Sequence, residues 1–188
     1  LSTVGLGPAG AVLYRMAEML EGKRAEFAAL GVEESVARTV DRLVHYAGWT
    51  DKITQVLGCQ NAVAGPYWNI TVPEPTGVVG VVCPADEPLL ALATLVAPVI
   101  AAGNTVVVVS PASAPVVSTF GEVCATSDLP GGVVNLLTGH HDELVPVLAK
   151  HRDLDAIHAA VGGAGLSPEL AREVQMGTAD NLKRVTLR

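Results

Sequence analysis

The segment Gly139-His140-His141-Asp142-Glu143 sets two imidazoles beside two carboxylates, the side chains from which zinc sites are built. Neighbouring histidines on a turn point in different directions, however, and no third ligand stands at a suitable spacing. Asp142 and Glu143 fit better as the acidic start of a helix over 143–151, so no metal site is assigned. A second polar group comprises Asp86 and Glu87, inside Pro84-Ala85-Asp86-Glu87-Pro88, together with Ser110 and His140. These would form a binding patch if the fold brings them to one edge. Val161-Gly162-Gly163-Ala164-Gly165 precedes Ser167-Pro168, a helix N-cap and first-turn proline. A glycine turn before a helix can cradle phosphate or serve as a plain turn. Cys59, Cys83 and Cys124 are odd in number and scattered, which favours reduced thiols in a cytoplasmic protein over a disulfide framework.

The elements that position these groups are legible between residues 73 and 138. Residues 77–83 form a β-branched run of the kind buried on both faces of a sheet. A helix over 89–102 halts at Gly103-Asn104, and a strand follows over 105–109. A helix over 116–126, a strand over 133–137 and a shorter strand over 155–160 continue the alternation. Strands and helices in turn with short connections predict an α/β fold with a parallel sheet. Ligands of such sheets bind at the carboxyl ends of the strands. Pro84–Pro88 and the segment from Ser110 to Ala114 stand at those ends.

Upstream, apolar spacing predicts amphipathic helices over 5–30 and 33–57, with Tyr46 and Trp49 in the core. Residues 65–72 alternate like a half-buried strand. Residues 182–187 read as a last strand. The net charge of −7 excludes nucleic acid and anionic membrane surfaces as natural partners. The run 89–102 is too short for a membrane span.

The motifs GVVGVVCPxxxPL, APVIAAGNTVVV and LPGGVVNLLTG resemble the nucleotide-binding domain of the aldehyde dehydrogenase superfamily. The resemblance runs from about Leu13 to Leu187. It implies a Rossmann-like parallel sheet with flanking helices, plus a β-extension used for oligomerisation. It also implies NAD(P) as cofactor, oxidation of an aldehyde through a cysteine thiohemiacetal, and a homo-oligomer, dimer or tetramer. On this resemblance residues 1–64 are N-terminal helices, 65–75 the oligomerisation segment and 76–188 the nucleotide-binding core. The catalytic domain with its nucleophilic cysteine would lie outside the chain, a companion module of one longer polypeptide.

Carried over position by position, several of the family's groups are replaced. The Asn of its P-W-N-F-P motif, an oxyanion donor, is Asp86, which has no proton to donate at neutral pH. The ribose-binding Lys and Glu positions are Val109 and Ala112. The small adenine-side glycine is Val145, and the phosphate-contacting Gly and Ser are Val161 and Gly162. The general base of N-L-K-R-V-T-L-E is replaced by Arg188. By family position the cofactor-facing residues are Cys83, Pro84, Ala85, Ser110, Ala112, Gly139, Val145 and Gly162. The scaffold residues Gly80, Pro84, Pro88, Gly103, Asn104, Pro130 and Gly131 are intact. Such a record fits a degenerate module, like the non-catalytic second modules of the tandem aldehyde dehydrogenases called family 16. The competing reading is a working NAD(P)-dependent dehydrogenase with its nucleophile and base elsewhere.

Overall fold

The computed structural model describes residues 6–111 and 114–188. The elements are α1 (Leu6–Gly22), α2 (Arg24–Ala29), α3 (Glu33–Trp49), α4 (Ile53–Leu57), β1 (Cys59–Gln60) and β2 (Ile70–Thr71). Then come β3 (Val78–Val82), α5 (Pro88–Ala101), β4 (Thr105–Ser110), α6 (Ala114–Ala125) and β5 (Val134–Thr138). The chain continues through α7 (His141–Lys150), β6 (Ala156–Ala159), α8 (Pro168–Ala179) and β7 (Arg184–Leu187). Strands β3 to β7 make one wholly parallel sheet in the order β5-β4-β3-β6-β7. The expected parallel α/β fold is present.

Alternation along β3 assigns the two faces. Val79 and Val81 enter a core with α1, α3, α5 and α6, centred on Leu13, Met16, Phe27, Leu92, Ile100 and Phe120. Val82 points the other way, into a second core that holds Val145, Ile157, Leu170 and Val174 from the α7 and α8 side. Gly80 lies on that second face, where an added Cβ would sit 2.8 Å from a Leu148 methyl. Helix α7 packs this close only because Gly80 lacks a side chain.

The amino ends of the strands are stitched together by Gly77, Asn104 and Asp155. Asn104 is buried; its Oδ1 accepts the Gly77 N–H at 2.9 Å and its Nδ2 donates to the Val99 carbonyl at 3.2 Å. Asp155 Oδ2 accepts the Val78 N–H at 2.8 Å, and its carbonyl accepts the Arg184 N–H. Gly77 has φ +126, and a Cβ there would lie 2.1 Å from Asp155 Oδ2.

The N-terminal helices differ from the expected pair. The helix over 5–30 is two, α1 and α2, separated at Lys23, whose ammonium bonds Glu26 and Glu122. Gly22 favours a break there, and the bend buries Phe27. The helix over 33–57 ends at Trp49, because the Thr50 hydroxyl bonds the Ala47 carbonyl at 2.7 Å and closes the last turn. Tyr46 packs on the core, whereas Trp49 is exposed.

The half-buried strand expected over 65–72 is also revised. Only Ile70–Thr71 is strand, paired antiparallel with Cys59–Gln60. Neither alternating set of side chains is covered: Tyr67 is 74% and Trp68 75% exposed, and Ile70 and Val72 are exposed as well. The alternation is real, but among the described residues nothing covers either side.

Two outcomes follow for stability. Asn104→Ala leaves the part-buried Gly77 N–H unpaired, while the Val99 carbonyl keeps the main-chain N–H of residue 104, so denaturation should show a loss of about 1 kcal/mol; an unchanged midpoint would contradict the stitching role. His158, on β6 between Val81 and Thr186, has an Nε2 that is buried and unpartnered. Burial, and after it the Arg188 charge, holds this imidazole below its ordinary range. The folded state therefore binds fewer protons than the unfolded one below about pH 6.5. Stability should rise with pH up to that value and be lost as pH falls, and His158→Gln should flatten urea midpoints measured across pH 5–7.

Candidate functional site

All five strands end on one edge, so the residues after them fall in line: Gly139 after β5, Ser110 closing β4, Cys83 after β3, Ala160 after β6 and Arg188 after β7. Cys83 is buried, donates its N–H to the Val109 carbonyl at 2.9 Å, and has its thiol pushed up to about 12 by burial. Cys124 is pushed up to about 12 for the same reason. Neither thiol is a thiolate at neutral pH, so neither serves as nucleophile. Cys59 is free and exposed on β1.

The loop after β3 is held from two sides. The Ala85 N–H donates to the Ala164 carbonyl at 2.9 Å, which ties it to the glycine turn after β6. Glu87 caps α5 with φ +41, a left-handed conformation uncommon for a glutamate. The Arg38 guanidinium pairs with its carboxylate. Asp86 and Glu87 are exposed and line a groove between α3 and α5. Neither Ser110, which is buried, nor His140, which caps α7, lines that groove. The four-residue polar patch is thus divided.

The glycine turn folds onto itself. The Gly162 N–H donates to the Leu166 carbonyl, Gly165 to Gly162, Leu166 to Ala160, and Val161 to the Arg188 carbonyl. Gly162 and Gly163 have φ of +78 and +55. The start of α8 is satisfied internally, Ser167 Oγ accepting the Leu170 N–H at 3.2 Å. Of the donors that a helix start offers to phosphate, the Leu170 N–H is thus bonded within the chain.

At the other positions carried over from the family, Val145 is wholly buried in the second core. Val109 forms part of a hollow of about 270 Å³ with Val107, Leu137, Leu144, Val147, Leu148, His151 and Leu154. Apart from His151 that hollow is walled by aliphatic side chains, and Val109 itself gives a ribose hydroxyl no partner. Ala112 lies outside the described residues. An added Cβ on Gly139 would meet Leu144 at 2.7 Å. Val109 and Val145 thus offer a dinucleotide no side-chain hydrogen bond.

His141 opens α7 with its Nε2 buried and unpartnered. Burial lowers its pKa, offset in part by the Cys83 carbonyl and the Asp142 charge. Among the described residues no group of three or more His, Cys, Asp or Glu could hold a metal ion. The sequence did not single out the α3 side of the groove. Arg38, Arg42 and His45 recur at helical spacing beside α5, and that spacing was the available signal.

The aldehyde dehydrogenase family model matches residues 7–188. The chain is 33% identical to retinal dehydrogenase 2 of Gallus gallus and 32% to the mitochondrial aldehyde dehydrogenase of Homo sapiens. Each match covers 95% of this chain and 35% of the relative, so the chain spans just over a third of their length. Among solved structures, PnpE from Pseudomonas sp. WBC-3 superposes with a TM-score of 0.88 at 27% identity, over 97% of this chain and 38% of that one. The NAD+ complex of aldehyde dehydrogenase from Bacillus cereus gives 0.84 at 25%, over 98% and 38%. With both the sequence match and the sheet order in agreement, the chain belongs to the aldehyde dehydrogenase family.

Proposed function

We propose that this chain is a module that keeps the family's nucleotide-binding scaffold without its chemistry, and serves a structural, self-associating role in a longer cytoplasmic protein. In that protein the active site lies in another module. One observation carries the reading: Val109 offers a dinucleotide no polar side chain, and the Gly162 N–H is bonded within the chain to the Leu166 carbonyl. Asp86 adds to it. A carboxylate where the family places an oxyanion donor repels the charge that must develop, and loss of one such donor alone costs about 10²–10³ in rate. We further infer the division of roles expected above: helices to residue 64, an association segment over 65–75, and the core from 76.

The exposed side chains beside β2 support the association role. Tyr67, Trp68, Ile70 and Val72 form an apolar segment on an excursion from the domain, as interface segments do. The free cysteines suit a reducing compartment. Among the described residues no helix is long and apolar enough to cross a membrane.

The second reading, an NAD(P)-dependent oxidation of an aldehyde to a carboxylic acid with nucleophile and base outside this chain, rests on the likeness to dehydrogenases, one of them in complex with NAD+. Calorimetric titration of NAD and NADP into the full-length protein, other modules disabled at their cofactor sites, separates the two. No heat at millimolar cofactor is expected. Saturation at micromolar concentration, about −8 kcal/mol, would put the dehydrogenase first. Trp68→Ala with Ile70→Ala should shift sedimentation toward smaller species, and an unchanged profile would remove the association role.

A further inference from the structure

The two outer strands of the parallel sheet are built differently. β7 reads Arg184-Val185-Thr186-Leu187 between Lys183 and Arg188, so cations line that side of the sheet. Charged side chains on an outer strand discourage a further strand from pairing there. β5, on the opposite side, reads Val134-Asn135-Leu136-Leu137-Thr138. It carries no charge and no proline, and its register with β4 is unbroken. None of the usual devices against strand addition is present in it.

The bonds to β4 show which way the β5 main chain faces. The Val133 carbonyl accepts the Val106 N–H at 2.8 Å, and the Gly139 N–H donates to the Ser110 carbonyl at 3.3 Å. Residues that bond one neighbour alternate along a parallel ladder, so positions 133, 135, 137 and 139 address β4. The N–H and C=O groups of Val134, Leu136 and Thr138 point outward, where no strand follows among the described residues. Beside them, on the α7 face, Leu137 and Val147 are exposed. These two line the hollow of about 270 Å³ together with Val107 and Leu144.

We propose that β5 is an interface on which a second copy of this chain pairs, antiparallel, about a two-fold axis at Leu136. Two five-stranded sheets then run on as one. Leu136 lies opposite Leu136 and Val134 opposite Thr138, so each outward N–H meets an outward carbonyl. The strand is its own complement: its outward groups fall on three alternate residues centred on Leu136, and a reversed copy matches all of them. No like charges are opposed along it, although each copy carries a net charge of −7. The two Leu137 side chains lie diagonally across the axis on the α7 face, each beside the apolar residues of the other's hollow. In strand addition, main-chain bonds supply affinity and such side-chain pockets supply selectivity. This interface is separate from the association segment over 65–75 and stands whether or not a dinucleotide binds.

The test introduces Val134→Cys with Thr138→Cys into the full-length protein, in a Cys59→Ser background. In the proposed register these positions face each other across the axis at a separation that a disulfide spans. Mild oxidation of dilute protein should give at least about tenfold more covalent dimer from the pair than from either single variant, because neither position meets itself. Thr138→Pro removes one outward N–H and leaves the bonds to β4 in place. It should shift sedimentation to species of about half the mass. Leu137→Lys, which sets two ammonium groups across the axis, should do the same. Equal cross-linking by the single variants, or an assembly whose mass survives both Thr138→Pro and Leu137→Lys, would overturn the proposal. So would the absence of a cross-link from the pair, which would leave β5 to a strand of another protein or to solvent. All of these are read at β5, apart from Trp68→Ala with Ile70→Ala, which reports on the segment over 65–75.

Discussion

The hydrogen bonds around Gly77 fix the relative positions of four strands. Asn104 takes the Gly77 N–H, the Gly77 carbonyl takes that of Thr105, and Asp155 takes that of Val78. The Asp155 backbone in turn exchanges bonds with Val78 and Arg184, so β4, β3, β6 and β7 share one origin. In a sheet a slip of one residue sends every side chain to the wrong face. Val79 and Val81 would then leave the large core, and Gly80 would no longer lie under α7. The geometry is exacting at Gly77: its φ suits glycine, and Asp155 fills the space a side chain would need.

Because the origin lies at the amino ends, the carboxyl ends are free of this duty. The loop after β3 is held by a bond to Ala164 and by the Arg38–Glu87 pair, neither of which needs an amide at position 86. The turn after β6 closes through main-chain bonds. Side chains at the strand ends can therefore change without cost to the sheet, which is how one scaffold accommodates both a dehydrogenase and the module proposed here.

The parallel sheet was legible because its strands are doubly buried and composition alone marks them. Asn104 and Gly103 were recognisable as a helix stop, though not as a clasp, since the partners Gly77 and Asp155 lie far off in sequence. The breaks at Lys23 and Thr50 escaped periodicity because apolar residues continue in step across both, while a distant Glu122 and a hydroxyl on its own carbonyl decide the ends. Alternation at Tyr67–Val72 gave the extended form but not its surroundings: period 2 reports which side chains share a face, not whether anything covers that face. The groove was hidden for the same reason as the clasp, because Arg38 and Glu87 are 49 residues apart.

What the changed positions have in common is the direction of the change. Val109 and Val145, expected where the family's groups face a polar ligand, enclose or fill apolar space beside α7. Hydrophobic replacements at a polar cleft add burial to the fold while removing recognition. Asp86 goes the other way: it adds an exposed charge at the end of β3. The α7 face of the sheet is thus closed by apolar packing, while the strand end toward α5 keeps exposed charge.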